Sequence, residues 1–255
     1  MKIFLAVTIC AVCAVSGQAQ SQRLAQTFTT STSPVKITPI YHASALIEAG
    51  GKVIYVDPAR LLDFTGLPPA DLILISDIHT DHMDPAVIAK LSKADTKIIA
   101  SPAVAQTVAT AEPISNGQAT KWDKWTIEAT PAYNLVRGPE PGKLFHDKGR
   151  GNGYVLTYGG KRFYFSGDTE NIPELRALKN IDVAFICMSE RTTMTPEEAV
   201  DAVLVFHPSV AIPYHYRTAD LSIFKKKLQS SGIEARILDW YPKDQAPPAE
   251  QSPKS

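Results

Sequence analysis

The chain predicts an α/β fold in which two β-layers stack and helices cover their outer faces. Short β-rich runs alternate with amphipathic stretches that open on helix-capping residues. These runs fall into two successive stretches of similar make-up, the second covering Thr126–Pro213, with no residue-level repeat between them. A single domain with so many strands buries their apolar faces by stacking sheets and covering the outside with helices.

The elements follow in order. Strands are expected over Val35–Tyr41, Ala45–Glu48, Val53–Val56, Leu72–Ile75 and Lys97–Ala100, and then over Thr126–Pro131, Gly153–Tyr158, Arg162–Phe165, Val183–Cys187, Val210–Pro213 and Glu234–Leu238. Asp84-Pro85 supplies an N-cap and an N1 proline for a helix over Ala86–Lys93. Thr195-Pro-Glu-Glu198 is a capping box that opens a helix reaching Phe206, with His207-Pro208 at its end. A third helix covers Leu221–Ser231, closed by Gly232 as its C′ residue, and shorter ones cover Pro102–Thr110 and Pro173–Leu178.

The ends differ in composition from the middle. Residues 1–19 read as a signal peptide: Lys2, an apolar stretch from Ile3 to Val15, then Gly17-Gln-Ala19 as a small-x-small cleavage site. The stretch is too short to span a bilayer, so the expectation is a periplasmic or secreted protein without a stable membrane anchor. Residues 20–34 read as a flexible leader, 35–240 as one large domain and 241–255 as a disordered tail. Removing residues 1–19 takes away one basic residue, Lys2, from a chain with 26 basic and 26 acidic residues. That balance gives no electrostatic case for nucleic acid, and the sequence carries no signal for oligomeric state. Cys10 and Cys13 leave with the signal, so Cys187 has no internal disulfide partner and reads as a buried structural thiol in Val183–Cys187.

Function concentrates in Ser76-Asp-Ile-His-Thr-Asp-His82, directly after the apolar run Leu72–Ile75. Imidazole and carboxylate groups suit zinc and similar divalent ions. Residues two apart point the same way on an extended loop, so Asp77 and His79 can share one ion. Asp81 and His82, on the turn into the next helix, can hold a second. Asp57, Asp168 and His215 likewise follow apolar strands, and open α/β sheets bind their ligands at such strand ends.

These residues carry a resemblance to the metallo-β-lactamase fold hydrolases, in the branch containing ascorbate-phosphate lactonase and N-acyl-phosphatidylethanolamine phospholipase D. The pattern His-x-His-x-Asp-His stands here as Asp77-Ile-His79-Thr-Asp81-His82. Gly167-Asp168-Thr169 matches the bridging-aspartate segment, and Pro213-Tyr-His215-Tyr holds the last ligand histidine. The run Thr193–Ala199 is also typical of the branch. The resemblance implies a four-layer αββα sandwich with two divalent metal ions, zinc first among them, at one edge of the inner sheets. It implies that His82 and His215 bind the second ion, that Asp168 bridges both, and that Asp81 contacts the second ion or orients the attacking water. Such ions lower the pKa of bound water, giving a metal-bound hydroxide at working pH, and polarise the electrophile. Two departures stand out. Asp77 replaces a histidine with a harder ligand, which opens that subsite to manganese or iron. Asn134 stands where a histidine is expected, and His146, in the loop beyond, is the candidate substitute; without either, one metal remains.

Other residues admit two readings. His42 reads as a structural group or a support for a ligand, and Asp57 as a turn former or as an acceptor for a ligand imidazole. The Gly- and Pro-rich loop Asn134–Gly153 holds Arg137, Lys143, Lys148 and Arg150 against Glu140 and Asp147. It is either a solvated loop or a lid that meets an anionic small-molecule substrate. The functions that follow are an exported metal-dependent hydrolase of a lactone, ester or amide, a phosphodiesterase or phospholipase of the same fold, or a non-catalytic metal-binding protein.

Overall fold

The computed structural model, which describes residues 24–59, 64 and 66–241, contains two seven-stranded sheets. In the first, β1 (Gln26–Phe28), β2 (Val35–Tyr41), β3 (Ser44–Ala49), β4 (Lys52–Val56), β5 (Ala70–Ile75), β6 (Ser92–Ala100) and β7 (Ala111–Pro113) lie side by side in chain order. The second carries β8 (Ala119–Trp122), β9 (Trp125–Ala132), β10 (Gly151–Tyr158), β11 (Lys161–Phe165), β12 (Val183–Cys187), β13 (Val210–Tyr214) and β14 (Glu234–Ala235), again in chain order. Each sheet begins antiparallel and turns parallel at its fourth strand. The two sequence stretches of similar make-up are thus two sheets of the same plan.

Parallel neighbours need a crossover, and helices supply most of them. α1 (Pro85–Leu91) and α2 (Pro102–Ala105) serve the first sheet; α3 (Pro173–Arg176), α4 (Pro196–Phe206) and α5 (Leu221–Leu228) serve the second. Side-chain alternation then sets the layers. Ile54, Val56, Leu72 and Leu74 point into the core shared with the second sheet, where Tyr154, Phe165 and Phe185 lie. Tyr55, Ile73 and Ile75 point the other way, against Ile88 and Leu91 of α1 and Val104 of α2. Phe206 of α4 and Phe224 of α5 join the main core from the far side of the second sheet. The layers are helix, sheet, sheet, helix, as expected.

Local expectations meet their limits at the element ends. Part of the expected flexible leader is strand: β1 pairs with the edge of β2, and Phe28 packs edge-on against Phe163 at 5.6 Å. A Gln/Thr-rich segment shows no apolar period, yet an open strand edge satisfies its backbone and one aromatic anchors it. Tyr241, placed in the tail, belongs to the folded part, whereas residues 1–19 and 242–255 lie outside the described residues. α1 stops at Leu91 because Ser92 is extended and begins β6. α5 ends at Leu228 with Gln229 as cap, so Gly232, at φ +82°, turns the chain beyond the helix rather than closing it. The short edge strands β7 and β8 escaped the reading altogether. No helix among the described residues is long and apolar enough to cross a membrane.

Candidate metal centre

Both sheets deliver ligand-type residues to one edge of the molecule. Asp57 follows β4, the Ser76–His82 segment follows β5, Asp168 follows β11 and His215 follows β13. His42 joins them from the β2–β3 turn, and the loop between β9 and β10 brings Asn134, His146 and Arg150.

Asp168 lies at the centre. Its Oδ2 is 3.3 Å from His82 Nε2 and 3.2 Å from His146 Nε2, and its Oδ1 is 3.4 Å from His215 Nε2. Three groups form, and within each the ligand atoms lie within 4.8 Å of one another: a first cluster of Asp77, His79 and His146, a second of His82, Asp168 and His215, and a third of His42, Asp81 and His215. Every site residue read from the sequence is therefore gathered here.

The second cluster is held from behind. His82 is fully buried, and its Nδ1 meets Asp57 Oδ2 at 2.9 Å and Ser76 Oγ at 3.0 Å. Asp57 also accepts from Ser76 N and Ser76 Oγ, both at 2.7 Å. A carboxylate behind an imidazole fixes its tautomer and turns the other nitrogen outward. Both readings of Asp57 hold, since it adopts a left-handed turn at φ +48° while its carboxylate supports His82. His42, His215 and Arg217 share that positive φ. Such backbone costs about 1–3 kcal/mol per residue and persists where surroundings enforce it, often at functional sites.

Asp81 sits in a closed ring of contacts. Its Oδ2 meets His42 Nε2 at 3.0 Å and accepts from Arg217 Nη2 at 3.2 Å. His42 Nδ1 meets the Tyr241 hydroxyl at 2.5 Å, and that hydroxyl accepts from Arg217 N at 3.0 Å. The His42 ring lies 3.7 Å from that of His215. Ser76, Arg217 and Tyr241 were missed by sequence reasoning. Ser76 and Arg217 flank ligand residues and could have been suspected; Tyr241 carries no local signal.

In the first cluster, Asp77 Oδ2 lies 2.8 Å from His79 Nδ1 and 3.9 Å from His146 Nε2. Arg150 grips both oxygens of Asp77, at 3.1 Å and 3.0 Å. The β9–β10 loop is not a loose arm: His146 is 3% exposed and already in place, its Nδ1 bonded to Asn134 Oδ1.

The electrostatics favour a cation. Burial opposes charge on His82, but Asp168 and Asp57 hold it well above the usual imidazole range. Burial likewise opposes ionisation of Asp168, and the neighbouring His215 and His82 hold it well below the carboxylate range. Asp77 is held down to about 2 against its own burial by His79, His82 and Arg150. His42 moves the other way, to about 3, through burial and the proximity of His215, so its ring is neutral. His82 Nε2, Asp168 Oδ1 and His215 Nε2 are buried without a hydrogen-bond partner among the described residues. Orphaned polar atoms are rare inside proteins, and three converging from carboxylate and imidazole fit a divalent ion.

The chain is similar to several known proteins. The chain is 31% identical over 224 residues to a metal-dependent hydrolase of Shouchella clausii, covering 80% of this chain and 97% of that one. It is 28% identical over 228 residues to one of Deinococcus radiodurans, covering 80% and 96%. Among solved structures, a candidate metal-dependent hydrolase of Parabacteroides distasonis superposes with a TM-score of 0.82 at 37% identity, over 86% of this chain and all of that one. Igni18, a metallo hydrolase of Ignicoccus hospitalis, superposes with a TM-score of 0.66 at 25% identity, over 80% of this chain and 94% of that one. Residues 36–215, which run from β2 through His215 and so hold the site apart from Arg217 and Tyr241, match the beta-lactamase superfamily domain, and the chain belongs to that family.

Proposed function

We propose that this protein is an exported metal-dependent hydrolase of an acyl compound, a lactone, ester or amide. The observation that carries the reading is Asp168, whose two oxygens face His82 and His146 on one side and His215 on the other. Two clusters sharing one carboxylate suit a pair of divalent ions. Asp77, His79, His146 and Asp168 would hold the first, and Asp168, His82, His215 and Asp81 the second. Zinc suits the imidazole-rich second cluster, and the added carboxylate of Asp77 makes the first hospitable to manganese or iron. Bound there, such ions supply an activated water and polarise the scissile bond.

The chain's own residues do the rest. Partial burial opposes charge on Asp81, yet His215 and His42 hold it far below the carboxylate range. Held at Oδ2 by His42 at 3.0 Å and Arg217 at 3.2 Å, this carboxylate is placed to orient water and bind cation. His79, with its side chain 41% exposed, stands at the mouth. Export rests on the residue 1–19 pattern.

The acyl reading is favoured over a phosphodiester by the β9–β10 loop. Its cations are spent internally: Arg137 on Glu170 and Glu198, Lys143 on Glu140, Lys148 on Glu174, Arg150 on Asp77. One observation supports the phosphodiester alternative. Arg217, its side chain 46% exposed, stands beside Asp81 and could meet an anionic group. A panel of lactones, esters, amides and phosphodiesters with the metal-loaded protein decides. Acyl turnover lost in His82→Ala and His215→Ala supports the proposal. Turnover confined to phosphodiesters, and weakened by Arg217→Gln, replaces it with the alternative, and full metal content without any turnover leaves a metal-binding protein.

A further inference from the structure

We infer that Asn134 and Glu170 are positioning residues that lock His146 into a single tautomer as the third protein ligand of the first subsite. The inference rests on the metal-centre reading above and deepens it. It starts from the amide. Asn134 Nδ2 donates to Glu170 Oε1 at 2.9 Å and to Thr192 O at 2.8 Å, two groups that can only accept. The amide orientation is thereby settled, and Oδ1 faces His146. An amide oxygen only accepts, so His146 Nδ1 carries the hydrogen. In the neutral ring Nε2 then bears a lone pair, directed towards Asp168 Oδ2 at 3.2 Å and Asp77 Oδ2 at 3.9 Å. Asp77 is already held by Arg150, but a bare Nε2 facing Asp168 Oδ2 sets two lone pairs against each other, which repel unless a proton or a metal ion stands between them.

Glu170 makes the lock rigid. Besides Asn134 Nδ2 it accepts from the backbone of three consecutive residues, Leu135 at 2.9 Å, Val136 at 3.1 Å and Arg137 at 2.7 Å. Converging backbone N–H groups form an anion nest, filled here by the protein's own carboxylate. The Arg137 guanidinium, 3.3 Å from the same oxygen as its own amide, adds charge to the clamp. Glu170 stands two residues after Asp168, so one clamp ties the ligand-bearing loop to the central carboxylate. The position at which the sequence pattern expects a ligand histidine has thus become the support, and the support's partner has become the ligand.

Zinc titration of the metal-free full chain by calorimetry, with long-range ¹H–¹⁵N spectra of the histidine rings, tests this. In the wild type His146 should show a protonated Nδ1 and a bare Nε2 whose resonance moves as zinc fills the first subsite. Asn134→Leu should weaken that step by about 10- to 100-fold, the usual effect of losing a residue behind a ligand, and abolish the single tautomer. Glu170→Gln, which keeps the shape, should weaken it in the same direction. His146→Ala should lose the step and keep the second. Unchanged first-step affinity in Asn134→Leu and Glu170→Gln, or in His146→Ala, overturns the inference. So does a His146 ring protonated at both nitrogens in the zinc-loaded protein. A wild type that takes one zinc, lost in His82→Ala but kept in His146→Ala, defeats this inference and leaves the metal centre standing. A wild type that takes no zinc, manganese or iron defeats the underlying reading itself.

Discussion

Asp57→Asn is the sharpest single test of how this site is built, because the change is almost isosteric and falls behind the ligands. The Asp57 carboxylate is completely buried and receives three donors: Ser76 N, Ser76 Oγ and His82 Nδ1, at 2.7, 2.7 and 2.9 Å. An amide offers one oxygen and two N–H groups. If that oxygen keeps the Ser76 amide, the NH₂ group confronts His82 Nδ1–H, two donors in a buried space. In the metal-free wild type His82 carries both hydrogens, and an ion takes the place of the one on Nε2, 3.3 Å from Asp168. In the variant the remaining Nδ1–H faces a donor, so the neutral ring favours its hydrogen on Nε2 and the ion-binding form is disfavoured. Loss of a supporting carboxylate typically costs 10- to 100-fold in metal affinity, about 1.4–2.8 kcal/mol. The expected result is that loss at the second subsite only, with the first step unchanged and the fold intact by circular dichroism. The measurement is zinc calorimetry on the metal-free protein beside ¹⁵N spectra of the His82 ring. Wild-type affinity with an unaltered His82 tautomer would refute the reasoning.

Three further outcomes follow from the same geometry. Asp168→Asn should weaken binding at both subsites, because the carboxylate touches both clusters; loss at one subsite alone, in a two-step metal titration, would show that it does not bridge. Removing metal with a chelator should lower the melting temperature, since the folded chain binds the ion and the unfolded chain lacks the gathered site. At metal 100-fold above its dissociation constant the linkage is about 2.7 kcal/mol, so scanning calorimetry showing no shift on chelation counts against a resident ion. Cys187 is buried, and burial chiefly pushes its thiol up to about 11, so it stays protonated and shielded at pH 8. A thiol reagent should find no reactive group in the folded mature protein and one after denaturation; three after denaturation would mean that Cys10 and Cys13 were retained with an uncleaved signal.

The local motifs were legible because their chemistry is local. Asp84-Pro85 caps α1, with the Asp84 carboxylate accepting from Ala86 N and Val87 N, and Thr195 and Glu198 close a reciprocal capping box on α4. The alternation that buries Leu72 and Leu74 on one face and Ile73 and Ile75 on the other is likewise written in consecutive residues. Two of the misreadings were of a different kind. A third helix closed by Gly232 and a leader without structure are sound expectations from propensity; α5 stops at Gln229, and pairing with β2 makes a strand of the leader in β1.

By itself, the sequence determined that this is a layered α/β chain, that ligand-type side chains cluster after its strands, and that Asp77 and Asn134 depart from the expected pattern. Only the tertiary structure decided what those departures mean. Asn134 and His146 are separated by 12 positions, His82 and Asp57 by 25, and Tyr241 and His42 by 199. Their meetings depend on how two sheets pack face to face and on which loop the Glu170 carboxylate gathers, and no periodicity along one segment encodes that. The physical reason is one of range. Capping, alternation and turn chemistry are energies between near neighbours, whereas the tautomer of a ligand histidine is set by whichever acceptor the folded chain brings behind it.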